Sequence, residues 1–293
     1  ADEGYVPAHK NLGDVLENAG FIDAAREAYA IAIHLRRDAG TRIRDALTLP
    51  VIPESMDHIA ECRGRLDLKL DELLDDDLSL EDPLRDVGAT NFLLAYHGLN
   101  DKAIQKKISR IYLSACPSLA FEAPHARDWM AGLEGGVPRV GFVSSFFHEH
   151  TMSKLNKELI NGLPKARFEV IVFSFSEVED AWSEGFKSAG PKFIALPKNL
   201  SEARHIIARA ELDILYFTDI GMEPMSYFLG FARLAPIQCV TLGHPVTTGL
   251  PNIDYFVSGA LTEPENASEA YSEELVSLDG FSTCVAKPDE FED

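Results

Sequence analysis

From Arg139 onward, short apolar runs alternate with stretches in which apolar residues recur at helical spacing. The runs Arg139–Ser145, Phe168–Phe175, Lys192–Leu196, Ile214–Thr218, Ile237–Leu242 and Tyr255–Val257 read as strands. The intervening Thr151–Leu163, Asp180–Ala189, Ser201–Leu212 and Pro224–Leu234 read as helices, with Ser201 as an N-cap and Pro224 in a first turn. Strands and helices in this alternation predict a parallel sheet wrapped on both faces, so this half of the chain is expected to be an α/β, Rossmann-like lobe.

The first part of the chain has a different pattern. Leu12, Gly13, Leu16, Gly20, Ala25, Tyr29 and Ala32 follow helical spacing over residues 6–39, in the order of a tetratricopeptide repeat; an ordinary helical hairpin is the alternative. A single repeat cannot bury its own faces, so it either caps the next domain or ends an array. From Thr41 to about Arg127 the reading stays helical without a clear period: Glu54–Leu74 is an amphipathic helix closing on Asp75-Asp76-Asp77, and Asn91–Gly98 and Lys102–Ala115 continue as helices. The segment Gly132–Pro138, G-L-E-G-G-V-P, reads as a linker. These patterns divide the chain into a helical region, residues 1–131, and an α/β lobe, residues 132–293.

Composition narrows the function. The 293 residues are 46% apolar and 25% charged, as in a soluble globular protein. A formal charge of −20 argues against a nucleic-acid partner, which needs clustered Lys and Arg. No apolar run is long enough to span a membrane and residues 1–10 lack a signal-peptide layout, so the expected location is the cytoplasm. Cys62, Cys116, Cys239 and Cys284 are scattered without metal-binding spacing and read as reduced, mostly buried thiols. Three consecutive Asp side chains do not converge, and His148 with His150 lacks a third ligand, so no metal is expected at either place.

Candidate chemistry gathers where strands end. After the apolar run Ile237–Leu242 comes G-H-P-V-T-T-G: Gly243 permits close backbone approach, His244 handles protons, Pro245 stiffens the turn, and Thr247 and Thr248 offer hydroxyls and N–H groups. Ligands of open α/β sheets bind beyond the carboxyl ends of strands, where this loop would lie. After the first strand of the lobe, S-S-F-F-H-E-H-T-M-S-K-L (Ser144–Leu155) lacks the G-x-G-x-x-G of a dinucleotide site. His150 precedes a helix N-terminus, where it can contact anionic oxygens or relay a proton, and Lys154 adds a cation. Asp219, at the end of Ile214–Thr218, either orients an acceptor group or caps the turn.

The wording R-L-A-P-I-Q-C-V-T-L-G-H-P-V-T-T-G-L-P-N-I-D-Y-F resembles the R-P-A-P-I-Q, L-G-Y/H-P and D-Y segments of the O-linked N-acetylglucosamine transferase family, which includes the SPINDLY-like proteins. The first crossover resembles that family's S-S-D-F and N-H-P segment, which aligns His150 with the family's active-site histidine. Phe146, Thr151 and Lys154 stand where the family has Asp, Pro and His, and the Lys and Arg of its third motif are absent around Asp219. Asp254-Tyr255 matches the family's D-Y and reads as structural.

The resemblance implies the first half of a GT-B fold, with a UDP-sugar as donor substrate, an acceptor protein or peptide as partner, and no cofactor. Family enzymes have a second lobe that supplies the main uridine-diphosphate contacts; nothing here resembles it, so half of an active site is expected. His150 and His244, with Gly243, Pro245, Thr247, Thr248, Lys154 and Asp219, are then expected on one wall of a cleft. Asparagine glucosylation of the adhesin-modifying type and a non-catalytic interaction module are the alternatives. Homo-oligomerisation is left open.

Overall fold

The structure is a computed structural model that describes residues 5–127, 136–188, 190–283 and 285. Two compact units divide it, Ala1–Ser118 and Leu119–Asp293. The expected boundary at 131/132 and residues 132–135 of the expected linker Gly132–Pro138 lie outside the described residues, as does Cys284.

The first unit is helical. Helices α1 (Val6–Asn18) and α2 (Ile22–Leu35) form the expected hairpin, with Ala25, Ala28, Tyr29 and Ala32 buried. Gly13 lies so close to the Tyr29 ring that a Cβ there would sit 2.4 Å from Cε1. Leu12, expected inside the hairpin, is 49% exposed. Helix α3 (Ala39–Leu47) and α4 (Met56–Leu74) follow, the latter capped by the Ser55 hydroxyl accepting from His58 N at 3.1 Å. In the acidic run after α4, Asp76 pairs with Arg37 and Arg42, each at 2.7 Å. A short α5 (Pro83–Asp86) and α6 (Lys102–Ala115) complete the set. The segment Phe92–His97, expected as α-helix, is a 3₁₀ helix stopped by Gly98 at φ 63.

The second unit is built on a parallel sheet of seven strands in the order β3-β2-β1-β4-β5-β6-β7. The strands are β1 (Arg139–Ser144), β2 (Glu169–Ser174), β3 (Lys192–Ala195), β4 (Ile214–Phe217), β5 (Ile237–Thr241), β6 (Tyr255–Gly259) and β7 (Glu274–Leu278). Helices α7 (Thr151–Gly162), α8 (Ala181–Ser188), α9 (Leu200–Ala208) and α10 (Pro224–Leu229) make the crossovers. The α/β expectation holds. β1, β4 and β5 are buried almost throughout, because a parallel sheet covered on both faces has no polar side.

Three details differ from the sequence reading. Helix α9 is capped by Asn199, whose Oδ1 accepts from Glu202 N at 3.0 Å, and Ser201 falls inside the helix. Helix α10 stops at Leu229, and Gly230 through Pro236 turn back toward β5. Strand β7 was not foreseen; as an edge strand it buries little, and its E-L-V-S-L carries no strong apolar signal.

The R-L-A-P-I-Q…D-Y wording builds a clasp at the start of β5. Arg233 forks onto Asp254 at 2.6 and 2.9 Å, and Asp254 Oδ2 accepts from Gln238 N at 2.8 Å. The Gln238 side chain is fully buried: Oε1 accepts from Leu234 N at 2.7 Å, and Nε2 donates to Ala232 O at 3.0 Å and Asn252 O at 2.6 Å. One side chain thus satisfies the backbone on both sides of the strand. Gln238→Ala strands these groups in the interior, and urea unfolding is expected to show a loss of roughly 2–4 kcal/mol. A loss below about 1 kcal/mol would contradict the clasp.

Candidate functional site

In the order 3-2-1-4-5 the chain reverses direction across the sheet between β1 and β4, and at such a switch point the loops beyond the carboxyl ends diverge and leave a crevice. Three loops meet there: Ser145–His150 after β1, Thr218–Glu223 after β4, and Leu242–Gly249 after β5. Gly243 is where they touch. A Cβ on Gly243 would lie 2.0 Å from Thr218 O, 2.8 Å from Asp219 Cα and 2.9 Å from Met152 Cε, so only glycine lets β5 turn this tightly against β4 and the first turn of α7.

His150 is the N-cap of α7. Its Nδ1 accepts from Met152 N at 3.1 Å, and its ring stacks on Phe146 with centroids 4.4 Å apart at 19°. Partial burial, reinforced by His148, holds its pKa below the ordinary histidine value, so the ring is neutral at pH 7. With Nδ1 accepting, the single proton of that neutral ring sits on Nε2, which makes Nε2 a hydrogen-bond donor. The expected proton relay narrows to donation from this atom. His148 stands 5.8 Å from His150 between centroids and bonds Ser176 Oγ through Nδ1 at 2.9 Å. Ser176 also lines a cavity of about 460 Å³ beside the ends of β2 and β3. Lys154 is exposed on the first turn of α7, its Nζ 5.8 Å from the Trp182 ring centre.

Asp219 ties the loops together. It is fully buried, and its Oδ2 accepts from Ser144 Oγ at 2.7 Å and Ser145 N at 3.2 Å, while its carbonyl accepts from Ser226 Oγ at 3.3 Å. Oδ1 has no hydrogen-bond partner among the described residues. Burial first, and the nearby Glu223 second, push the carboxyl up to about 7, against the pull of Ser144 and Ser145. Glu223 itself caps α10, accepting from Met225 N at 2.6 Å and Ser226 N at 2.5 Å.

The G-H-P-V-T-T-G loop is more inward-facing than its composition suggests. His244, expected to handle a proton in the cleft, is only 3% exposed and packs against Gly221, where a Cβ would lie 2.5 Å from Nδ1. Gly221 has φ 97, a backbone conformation open to glycine, so it is free on both counts to receive the ring. Thr247 and Thr248, expected to face substrate, are buried and bond Glu273: Thr247 Oγ1 donates at 2.6 Å, Thr248 N at 2.8 Å, and the Thr248 hydroxyl also donates. Pro245 is exposed and Gly243 half-buried. His150, Lys154, Gly243 and Pro245 thus reach the surface, whereas His244, Thr247, Thr248 and Asp219 support it from within. Ser144, Gly221 and Glu273 were missed by sequence reasoning. Ser144 and Gly221 lie at strand ends that carried a signal; Glu273 precedes the weakly patterned β7 and carried none.

Among the described residues no group of three or more His, Cys, Asp or Glu is arranged to hold a metal, and no helix is long and apolar enough to cross a membrane. Cys62, Cys116 and Cys239 are free and buried.

Asp219 makes a pH prediction. A carboxyl raised from 3.8 to about 7 binds its proton in the folded state where the unfolded chain has lost it. Its contribution is complete below about pH 4 and disappears as pH rises through about 7, an upper bound of about 4 kcal/mol. Urea unfolding from pH 4 to 8 should show this decline in the wild type and its loss in Asp219→Asn. An unchanged slope in the variant would assign the pH dependence elsewhere.

Known proteins share this chain's sequence pattern and fold. The family model for glycosyl transferase family 41 matches residues 92–281. The probable UDP-N-acetylglucosamine–peptide N-acetylglucosaminyltransferase SEC of Arabidopsis thaliana is 29% identical over 187 residues, 61% of this chain and 19% of that protein. The corresponding SPINDLY protein of Solanum lycopersicum is 28% identical over 152 residues, 50% of this chain and 16% of that protein. A solved O-GlcNAc transferase mutant of Thermobaculum terrenum shares the fold at TM-score 0.60 and 21% identity, covering 98% of this chain and 54% of that one. The chain therefore spans under a fifth of these curated relatives and about half of the solved structure. With the family match running through the end of the helical unit and nearly the whole α/β lobe, and the described site lying inside it, the chain belongs to glycosyl transferase family 41.

Proposed function

We propose that this chain supplies one wall of the active site of a protein glycosyltransferase that moves N-acetylglucosamine or another hexose from a UDP-sugar to a polypeptide side chain. The observation that carries the reading is the meeting of the loop after β5, the loop after β4 and the first turn of α7 on Gly243 at the switch point of the sheet. The curated relatives support it, because their names describe transfer of N-acetylglucosamine from its UDP form to peptide. In this reading a second lobe of the enzyme completes the donor site. The free, buried Cys62, Cys116 and Cys239 suit the reducing cytoplasm.

The chemical demand is to stabilise a departing diphosphate while the sugar gains positive character. A neutral His150 meets it by donating Nε2–H to a donor-substrate oxygen, and Lys154 adds an exposed positive charge one turn along α7. The N-terminus of this twelve-residue helix adds N–H groups that favour an anion. No metal ion or cofactor is required in this scheme. Gly243 and Pro245 form the facing lip, while His244 packed on Gly221, Thr247 and Thr248 on Glu273, and Asp219 on Ser144 hold the three loops in register.

His150 has two roles that substitution can separate. Asn is a good N-cap, so His150→Asn keeps the bond to Met152 N yet removes the donor at Nε2, whereas His150→Ala removes both and costs about 1 kcal/mol of stability. In an active enzyme containing this lobe, both variants are expected to lower transfer from UDP-N-acetylglucosamine to peptide by about a hundredfold or more. Only the Ala variant should melt earlier. Undiminished turnover in His150→Asn would remove the imidazole from the reaction. Mass spectrometry of the modified peptide reads whether Ser, Thr or Asn receives the sugar.

A further inference from the structure

Glu273 lies between β6 and β7, away from the three loops in sequence, yet it is 6% exposed and both of its oxygens are used on one of them. Oε1 accepts from Thr248 N at 2.8 Å and from the Thr248 hydroxyl; Oε2 accepts from Thr247 Oγ1 at 2.6 Å and Ser272 Oγ at 3.1 Å. The return bonds close the arrangement. Ser272 N donates to Thr247 Oγ1 at 2.9 Å, and Leu250 N donates to Thr248 Oγ1 at 3.1 Å. A buried carboxylate needs several donors, and this one draws most of them from residues 247 and 248.

The consequence is mechanical. The loop 243–249 is held at its first residue by the contact of Gly243 with Thr218 and Asp219, and at its far end by Glu273. His244 and Pro245 lie between the two anchors. Without the second anchor the loop hinges about Gly243, which moves the His244 ring relative to Gly221 and the lip relative to α7.

We propose that Glu273 is a positioning residue that fixes the His244–Pro245 lip for donor-sugar binding. It acts through Thr247 and Thr248 and touches no substrate. This rests on the reading of Gly243–Pro245 as one lip of the donor site, but the anchoring is measurable without that reading. The side-chain length is part of the proposal: Gln keeps an acceptor at Oε1 for the Thr248 amide, Asp is one methylene too short to reach it, and Ala leaves the amide without a partner.

The test combines amide hydrogen exchange and imidazole NMR with binding of UDP-N-acetylglucosamine to an enzyme that contains this lobe and the second one, in the wild type and in Glu273→Ala, Glu273→Asp and Glu273→Gln. In the Ala and Asp variants the Thr248 and Leu250 amides should lose protection by about tenfold or more, and the His244 resonances should shift, while the amides of β1 and β4 keep their protection. Donor dissociation constants should rise by about tenfold in the same two variants, and the Gln variant should stay within about threefold of wild type. Equal loss of protection across the whole sheet would make Glu273 a general stabilising residue and overturn the proposal. So would unchanged exchange, or unchanged donor affinity once the loop is loosened. If the wild-type two-lobed enzyme binds no donor, the proposed function fails, and the exchange and His244 signals alone decide whether Glu273 anchors the lip.

Discussion

The site depends on one close approach, that of Gly243 to the end of β4. With Thr218 O at 2.0 Å from where a Cβ would stand, no side chain fits, and the same glycine meets Met152 two residues beyond His150. A parallel sheet sends its crossovers out in different directions from the switch point, and nothing in the hydrogen bonding of β1, β4 and β5 alone would bring their loops back together. The contact at Gly243 does so. It sets the turn after β5 against the end of β4 and the first turn of α7 at once.

Around that contact the polar groups fall into three layers of duty. Arg233, Gln238 and Asp254 secure the start of β5, at the end of the sheet remote from the site. Asp219, Ser144 and Ser145 join the loops after β1 and β4, and Glu273 secures the loop after β5. His150, Lys154 and Pro245 are left at the surface. Each of the two buried carboxyls takes one backbone N–H and neighbouring hydroxyls, which helps keep irregular backbone satisfied inside a protein. Asp219 differs from Glu273 in that one oxygen has no partner among the described residues. Burial first and the nearby Glu223 second raise the pKa of Asp219.

Much of this was legible in the sequence because buried parallel strands write unbroken apolar runs: β1, β2, β4 and β5 were each located to within two residues at either end. Strand β7 escaped, since an edge strand needs little burial and Glu274–Leu278 has none of the density of Ile237–Thr241. The loop after β5 was recognisable from Gly243, His244 and Pro245. What composition could not give was direction: a threonine hydroxyl reads the same whether it faces a ligand or a buried glutamate, and Thr247 and Thr248 face the glutamate. His244 likewise proved to be packed on Gly221, a partner 23 positions earlier that no local pattern announces. His150 was found at the helix start, but its tautomer, and with it the donor character of Nε2, depends on the Met152 amide and so on three-dimensional geometry.

The most direct measurement is a titration of UDP-N-acetylglucosamine into an isotope-labelled enzyme containing this lobe and the second one, followed at every histidine and glycine, in the wild type and in Gly243→Ala. The account predicts that His150, Gly243 and His244 shift together in the wild type with a common dissociation constant, and that Gly243→Ala remains folded but loses the responses of His150 and His244. Shifts that instead gather at the opposite end of the sheet, around the cavity of about 480 Å³ lined by Leu163 and Phe168, or a full response surviving in Gly243→Ala, would contradict it.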